Sequence, residues 1–273
     1  MAQNLQAKRP IATGPRRELQ HIHHHRSITP KRVFAPTRCN STVAQQEQAA
    51  KGWRQLRWEL QTSIGRMIIR PLERDEAQAA GVVVARAFAS SPEAVPLSEA
   101  LKDIEAIFLE NPSPAADADS GAHTSSREAT LDGYFLVARL FPDDPQQTPL
   151  PPGQGSRIVG TASISLSASS PFVRRLPSVN LPPSDAAYIS NMAVDPRFRR
   201  RGVARALLAA CEDVARSGAR ADVWLHVLEA DEAARALYGG AGFVAAAKDS
   251  WLDTLKRGGG RPRILMRREL QLS

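Results

Sequence analysis

The chain is short of cysteine, of aromatic side chains and of long apolar runs. Cys39 and Cys211 are its only cysteines, which excludes a disulfide framework and points to a reducing compartment. No run of about 18 apolar residues occurs, so no transmembrane helix is expected. The net positive charge is concentrated at one end. Residues 1–45 carry eight basic side chains, from Lys8 to Arg38, against the single acid Glu18, and so hold seven of the eight net positive charges. The remainder is nearly neutral, and aromatics make up only 5% of the chain. That combination argues against specific nucleic-acid binding, which needs a basic face on the folded body.

The basic tail is Ser/Thr-bearing, His-rich and without apolar periodicity. It has the Arg-rich, acid-poor composition of plastid or mitochondrial transit peptides and lacks the apolar stretch of a secretory signal. Thr37-Arg38-Cys39-Asn40-Ser41 resembles a plastid processing site. The expected organisation is therefore a transit peptide over 1–40, a linker over 41–65 and one folded domain over 66–270. A chloroplast destination is expected, with the mitochondrion as the alternative. His21, His23, His24 and His25 cluster in this tail, but an unstructured tail offers no fixed ligand geometry, so no metal site is expected.

In the body, apolar alternation and helical spacing predict elements in the order β-α-α-β-β-β-α-β-α-β-β, a mixed α/β fold. The predicted strands are 67–71, 133–140, 157–166, 187–194, 221–228, 242–247 and 263–270. The predicted helices are 73–88, 97–109, 203–217 and a short one from Asp231 to Tyr238. Small polar residues 111–128 read as a mobile insertion, and 167–184 as a Pro/Ser-rich connection. Residues 248–262, with Gly258-Gly259-Gly260, read as a loop.

One stretch carries chemistry. Strand 187–194 ends at Asp195-Pro196, and Gly202 opens the helix from Val203. Free backbone N–H groups and the positive end of a helix dipole converge there, which makes an anion site. Gly202 permits close backbone approach, and Arg199, Arg200 and Arg201 add charge suited to a pyrophosphate. From the turn alone, a solvated basic turn is an equal alternative.

Arg199-Arg200-Arg201-Gly202-Val203-Ala204 resembles the Arg/Gln-x-x-Gly-x-Gly/Ala signature of the GNAT superfamily of acyl-CoA N-acetyltransferases. Asn191 to Pro196 resembles that family's fourth strand. Asp231-Glu232-Ala233-Ala234-Arg235-Ala236-Leu237-Tyr238, followed by Gly242-Phe243, resembles its Asn-x-x-Ala-x-x-x-Tyr and Gly-Phe element. The close match covers about residues 187–247.

The resemblance implies a mixed GNAT-type sheet flanked by helices, with a bulge that splays the fourth strand from the fifth. Acetyl-CoA would lie in that gap as co-substrate. Met192, Ala193 and Val194 would line it, with Met192 and Val194 offering backbone groups to the pantetheine arm. Arg199 to Ala204, with Arg205, would cradle the pyrophosphate. Asp231 and Ala233 fall where the last helix meets the cofactor, although a carboxylate at 231 cannot donate as the family's usual Asn does. Tyr238 would protonate the departing thiolate; its alternative is a core tyrosine. His226, alternating with apolar neighbours, is a candidate base for the amine. A structural histidine and water-mediated deprotonation stand beside that reading.

The implied activity is acetyl transfer by direct attack to protein amines, N-terminal or lysine, because plastid members of the family often modify proteins. A small-amine acetyltransferase and a non-catalytic acyl-CoA sensor are the alternatives. The expected partners are protein or peptide amines, with no membrane, and the expected state is a monomer.

Overall fold

A computed structural model of the chain describes residues 31–32, 56–91, 94–110, 133–144, 146, 148–170, 173, 180–256 and 261–271. Alternating apolar side chains build one mixed sheet. Its strands are β1 (Lys31–Arg32), β2 (Trp58–Thr62), β3 (Gly65–Pro71), β4 (Gly133–Pro142) and β5 (Arg157–Ser165), then β6 (Ala187–Val194), β7 (Asp222–Leu228), β8 (Val244–Lys248) and β9 (Arg263–Glu269). Their order in space is β1-β2-β3-β4-β5-β6-β7-β9-β8. Every neighbouring pair is antiparallel except β6 and β7, which run parallel.

Helices cover both faces. On one, α1 (Ala77–Phe88) and α2 (Leu97–Glu110) pack Val83, Val84 and Ile104 against Val137, Ile158 and Tyr188. On the other, α3 (Val203–Ser217) lays Leu207, Cys211 and Val214 on Leu136, Ile164 and Leu225. Burial of those apolar stripes is what holds helix to sheet. The helix α4 (Glu232–Gly240) joins α3's face through Tyr238, and α5 (Trp251–Lys256) lies between β8 and β9.

The expected fold class is present, with two differences in detail. The sheet enters the stretch read as a linker, because β2 occupies residues 58–62. Trp58 is only 2% exposed, and its indole N–H donates to Asp213 Oδ2 of α3 at 3.0 Å. The five-residue alternation Trp58-Glu59-Leu60-Gln61-Thr62 is the signal for that strand. The second difference is α5, which occupies part of the expected loop 248–262. Its first turn closes when Thr254 N–H donates to Ser250 O at 3.1 Å. The insertion 111–128 and most of the tail lie outside the described residues.

Candidate functional site

Strands β6 and β7 pair only at Ala187↔Val223, Tyr188↔Trp224 and Ile189↔Leu225. Beyond Ile189 they part. The cause is a bulge in β6. Thr161 and Ser163 of β5 face Ala193 and Ser190, so Asn191 and Met192 share the span opposite a single residue, Ala162. Asn191 takes a left-handed backbone at φ 49°, which asparagine tolerates better than most residues. Thr161 Oγ1 locks it by donating to Asn191 O at 3.0 Å. Bulges redirect strands in this way. The rest of β6 therefore presents an unpaired edge toward β7, with Met192 and Val194 half-buried and Ala193 packed into the core under α1.

The chain then turns on Asp195. This buried carboxylate accepts from Arg197 N–H at 3.0 Å, from Arg197 Nε at 3.2 Å and from Nη2 at 3.1 Å. Burial pushes its carboxyl up, but the hydrogen bonds and charge of Arg197, with Arg157, hold it below the usual carboxylate range. Past this pivot, Arg200 (φ 65°) and Gly202 (φ 82°) both adopt left-handed backbone. Such turns gather backbone N–H groups into a concave, anion-attracting surface. The first helical bond of α3 runs from Ala206 N–H to Gly202 O at 3.0 Å. The N–H groups of Val203, Ala204 and Arg205 thus have no intrahelical acceptor.

The arginines of the turn divide. Arg200, Arg201 and Arg205 are exposed beside those N–H groups. Arg199 instead reaches back, and its Nη2 donates to Ala87 O, in the last turn of α1, at 2.8 Å. The last carbonyls of a helix lack intrahelical partners, so a cation there is a favourable cap. Arg199's guanidinium is therefore committed to α1, although it stands within the expected cradle.

Tyr238 lies on α4, whose first turn is fixed by Asp231 Oδ1 accepting from Ala234 N–H at 2.9 Å. The Asp231 carboxylate is thus engaged as a cap, and Ala233 is exposed beside it. The Tyr238 ring is buried against Phe243 with ring centres 5.9 Å apart. Burial first, then the charges of Asp231 and Cys211, push its phenol up, so it keeps its proton throughout the neutral range.

Residues 117–243 match the family model described as the acetyltransferase (GNAT) family. The chain is similar to that family over this stretch, a little under half of its length. It is 31% identical over 143 residues to GCN5-related N-acetyltransferase 5, chloroplastic, of Arabidopsis thaliana; the match spans 52% of this chain and 41% of that relative's length. Among solved structures, the ribosomal-protein-S18-alanine N-acetyltransferase of Escherichia coli superposes with a TM-score of 0.45 at 18% identity, covering 76% of this chain and 96% of that one. An N-acetyltransferase of Staphylococcus aureus does so with 0.46 at 13%, covering 75% and 99%.

On the α1 side of the diverging strands sits a pair of which the sequence showed only one member. His226 Nδ1 lies 2.6 Å from Tyr188 Oη, and His226 Nε2 lies 2.8 Å from the Asn180 carbonyl oxygen. A carbonyl only accepts, so Nε2 carries the hydrogen and Nδ1 accepts a hydrogen bond from the tyrosine hydroxyl. Both imidazole nitrogens are engaged, Nδ1 by Tyr188. Tyr188 was missed because nothing local marks it. It meets His226 through the register of a parallel pair, across an intervening helix.

Tyr238 and His226 occupy opposite faces of the sheet, the first with the α3 cluster and the second beside Tyr188 of the α1 cluster. Among the described residues, no group of acids, histidines or cysteines is arranged to hold a metal.

Proposed function

We propose that the domain transfers an acetyl group from acetyl-CoA to the amine of a protein or peptide by direct attack. The observation that carries this reading is the opening of β6 from β7 directly ahead of the Arg200–Arg205 turn, with Tyr238 on one side of the sheet and the Tyr188–His226 pair on the other. The residues present fit the cofactor. The unpaired edge of β6 suits an extended amide-bearing arm, and three free N–H groups with three exposed arginines suit a pyrophosphate.

Acetyl-CoA supplies an activated thioester. The chain's own residues do the rest. Met192 and Val194 offer backbone groups along the open edge. Val203, Ala204 and Arg205 N–H groups, with the side chains of Arg200, Arg201 and Arg205, hold the diphosphate. Tyr238 keeps its proton until the sulfur departs and then donates it. Tyr188 takes the amine proton at Oη while passing its own to His226 Nδ1, so neither residue need be charged beforehand.

Purified protein incubated with acetyl-CoA and a peptide library, read by mass spectrometry, should show acetylated peptides. The site of the label separates α-amine from lysine acceptors. Acetyl-CoA binding without transfer to any peptide, but with transfer to polyamines or arylamines, would replace protein amines by small ones. No transfer at all would leave only a sensor.

The tail composition and the chloroplastic relative support a plastid destination. Among the described residues, no helix is long and apolar enough to cross a membrane. Residues 1–60 fused to a fluorescent protein should enter plastids and be trimmed near Cys39. Diffuse fluorescence of unshortened fusion would sink that assignment.

A further inference from the structure

His226 is held from outside the strand pair. The carbonyl that fixes its Nε2–H belongs to Asn180, in the connection before β6. Asn180 is itself tethered, because its side-chain Nδ2 donates to Asp249 Oδ1 at 2.9 Å. Asp249 is 2% exposed and is anchored twice to the start of β9. Its Oδ2 accepts from Arg263 N–H at 3.2 Å, and its own N–H donates to Arg263 O at 2.9 Å. A chain of bonds thus runs from the start of β9, a strand paired on both sides, through Asp249 and Asn180 to the imidazole.

We infer that Asn180 and Asp249 are positioning residues, which fix His226 in its Nε2–H tautomer and so keep Nδ1 turned to Tyr188 as the acceptor of the amine's proton. The assignment of that task rests on the acetyltransferase reading above; the tautomer does not. A backbone carbonyl specifies the tautomer without competing for the proton, since it has no proton to exchange. It works only while the carbonyl stays in place, and the connection carrying it has no strand or helix at this point. Asparagine is the side chain that meets the need. Its amide donates to a carboxylate, whereas an aspartate at 180 would face Asp249 with like charge. Without the tether the carbonyl drifts, and the ring is free to carry its hydrogen on Nδ1, where it cannot accept.

The test uses the full chain labelled with ¹⁵N-histidine, with the His226→Gln spectrum identifying the signal. Wild type should show the single Nε2–H pattern. Asn180→Ala and Asn180→Asp should show a mixture of tautomers and a loss in kcat of about 10–100-fold, part of what a general base supplies. Acetyl-CoA affinity by calorimetry should move less than twofold. Asp249→Ala strips a bond from β9 and puts the fold at risk. Asn180→Ala leaves both Asp249–Arg263 bonds standing and is the decisive variant. An unchanged single tautomer in a folded Asn180→Ala protein overturns the clamp. Failure of the unaltered protein to bind acetyl-CoA would instead remove the proposed function, and the tautomer spectra would still decide the clamp.

Discussion

Gly202→Asp is expected to remove measurable acetyl-CoA binding from a protein that still folds. Gly202 sits at φ 82° and ψ −2°, immediately before the three free N–H groups of α3. Aspartate enters left-handed backbone more readily than most residues, so the strain is of order 1–2 kcal/mol and the domain should survive it. Binding should not. The new side chain stands where a pyrophosphate must approach the backbone, and its charge repels the ligand. Losing two charge-assisted hydrogen bonds at about 1.5–3 kcal/mol each corresponds to a drop of about 10²–10⁴ in affinity. Gly202→Asn separates the two causes, since it adds similar bulk without charge and should lose less. Calorimetry on both variants, with circular dichroism to confirm the fold, is the measurement. Unchanged affinity in a folded Gly202→Asp protein would overturn the cofactor site.

What could be read in the sequence divides along a physical line. Features written in contiguous residues were legible. Strand Ala187–Val194 and helix Val203–Ser217 appear with the boundaries that periodicity and the Pro196 and Gly218 stops suggest. The left-handed glycine at 202 and the Asp231 cap likewise follow from local chemistry. Features that depend on which residues meet across the fold were not. Asn191's positive φ shows how the bulge is made, but a lone asparagine inside an apolar strand does not announce it. Arg199 is one of three consecutive arginines, and nothing in the triplet says that only this one turns back to Ala87. Tyr188, His226, Asn180 and Asp249 come from four separate stretches and meet only once β6, β7 and β9 are in register. Short elements with weak periods, β2 and α5, were lost between charged or glycine-rich neighbours.

Tyr238→Phe should reduce turnover by about 10²–10⁴-fold, the range for loss of a general acid. Phenylalanine keeps the ring against Phe243 and the burial that anchors α4 to the α3 cluster, so stability should hardly change. Acetyl-CoA affinity should hardly change either, because the lost bond forms only as the sulfur departs. The effect therefore falls on kcat and on kcat/KM together, with little change in KM. The sign of the pH dependence follows from the raised phenol. A tyrosine whose pKa is pushed up by burial stays protonated at neutral and mildly alkaline pH. The acid limb contributed by Tyr238 should thus lie above the ordinary tyrosine range, and rate should not fall on that account between about pH 7 and 9. Thiolate is a fair leaving group even unprotonated, so the loss should be smaller for a more acidic thioester donor than for acetyl-CoA. That dependence on the leaving group is the signature of a proton donor, and a structural tyrosine would not produce it. Full turnover in Tyr238→Phe at every pH would make the residue part of the core alone. The Tyr188–His226 pair would then account for the whole pH profile, which Tyr188→Phe would abolish.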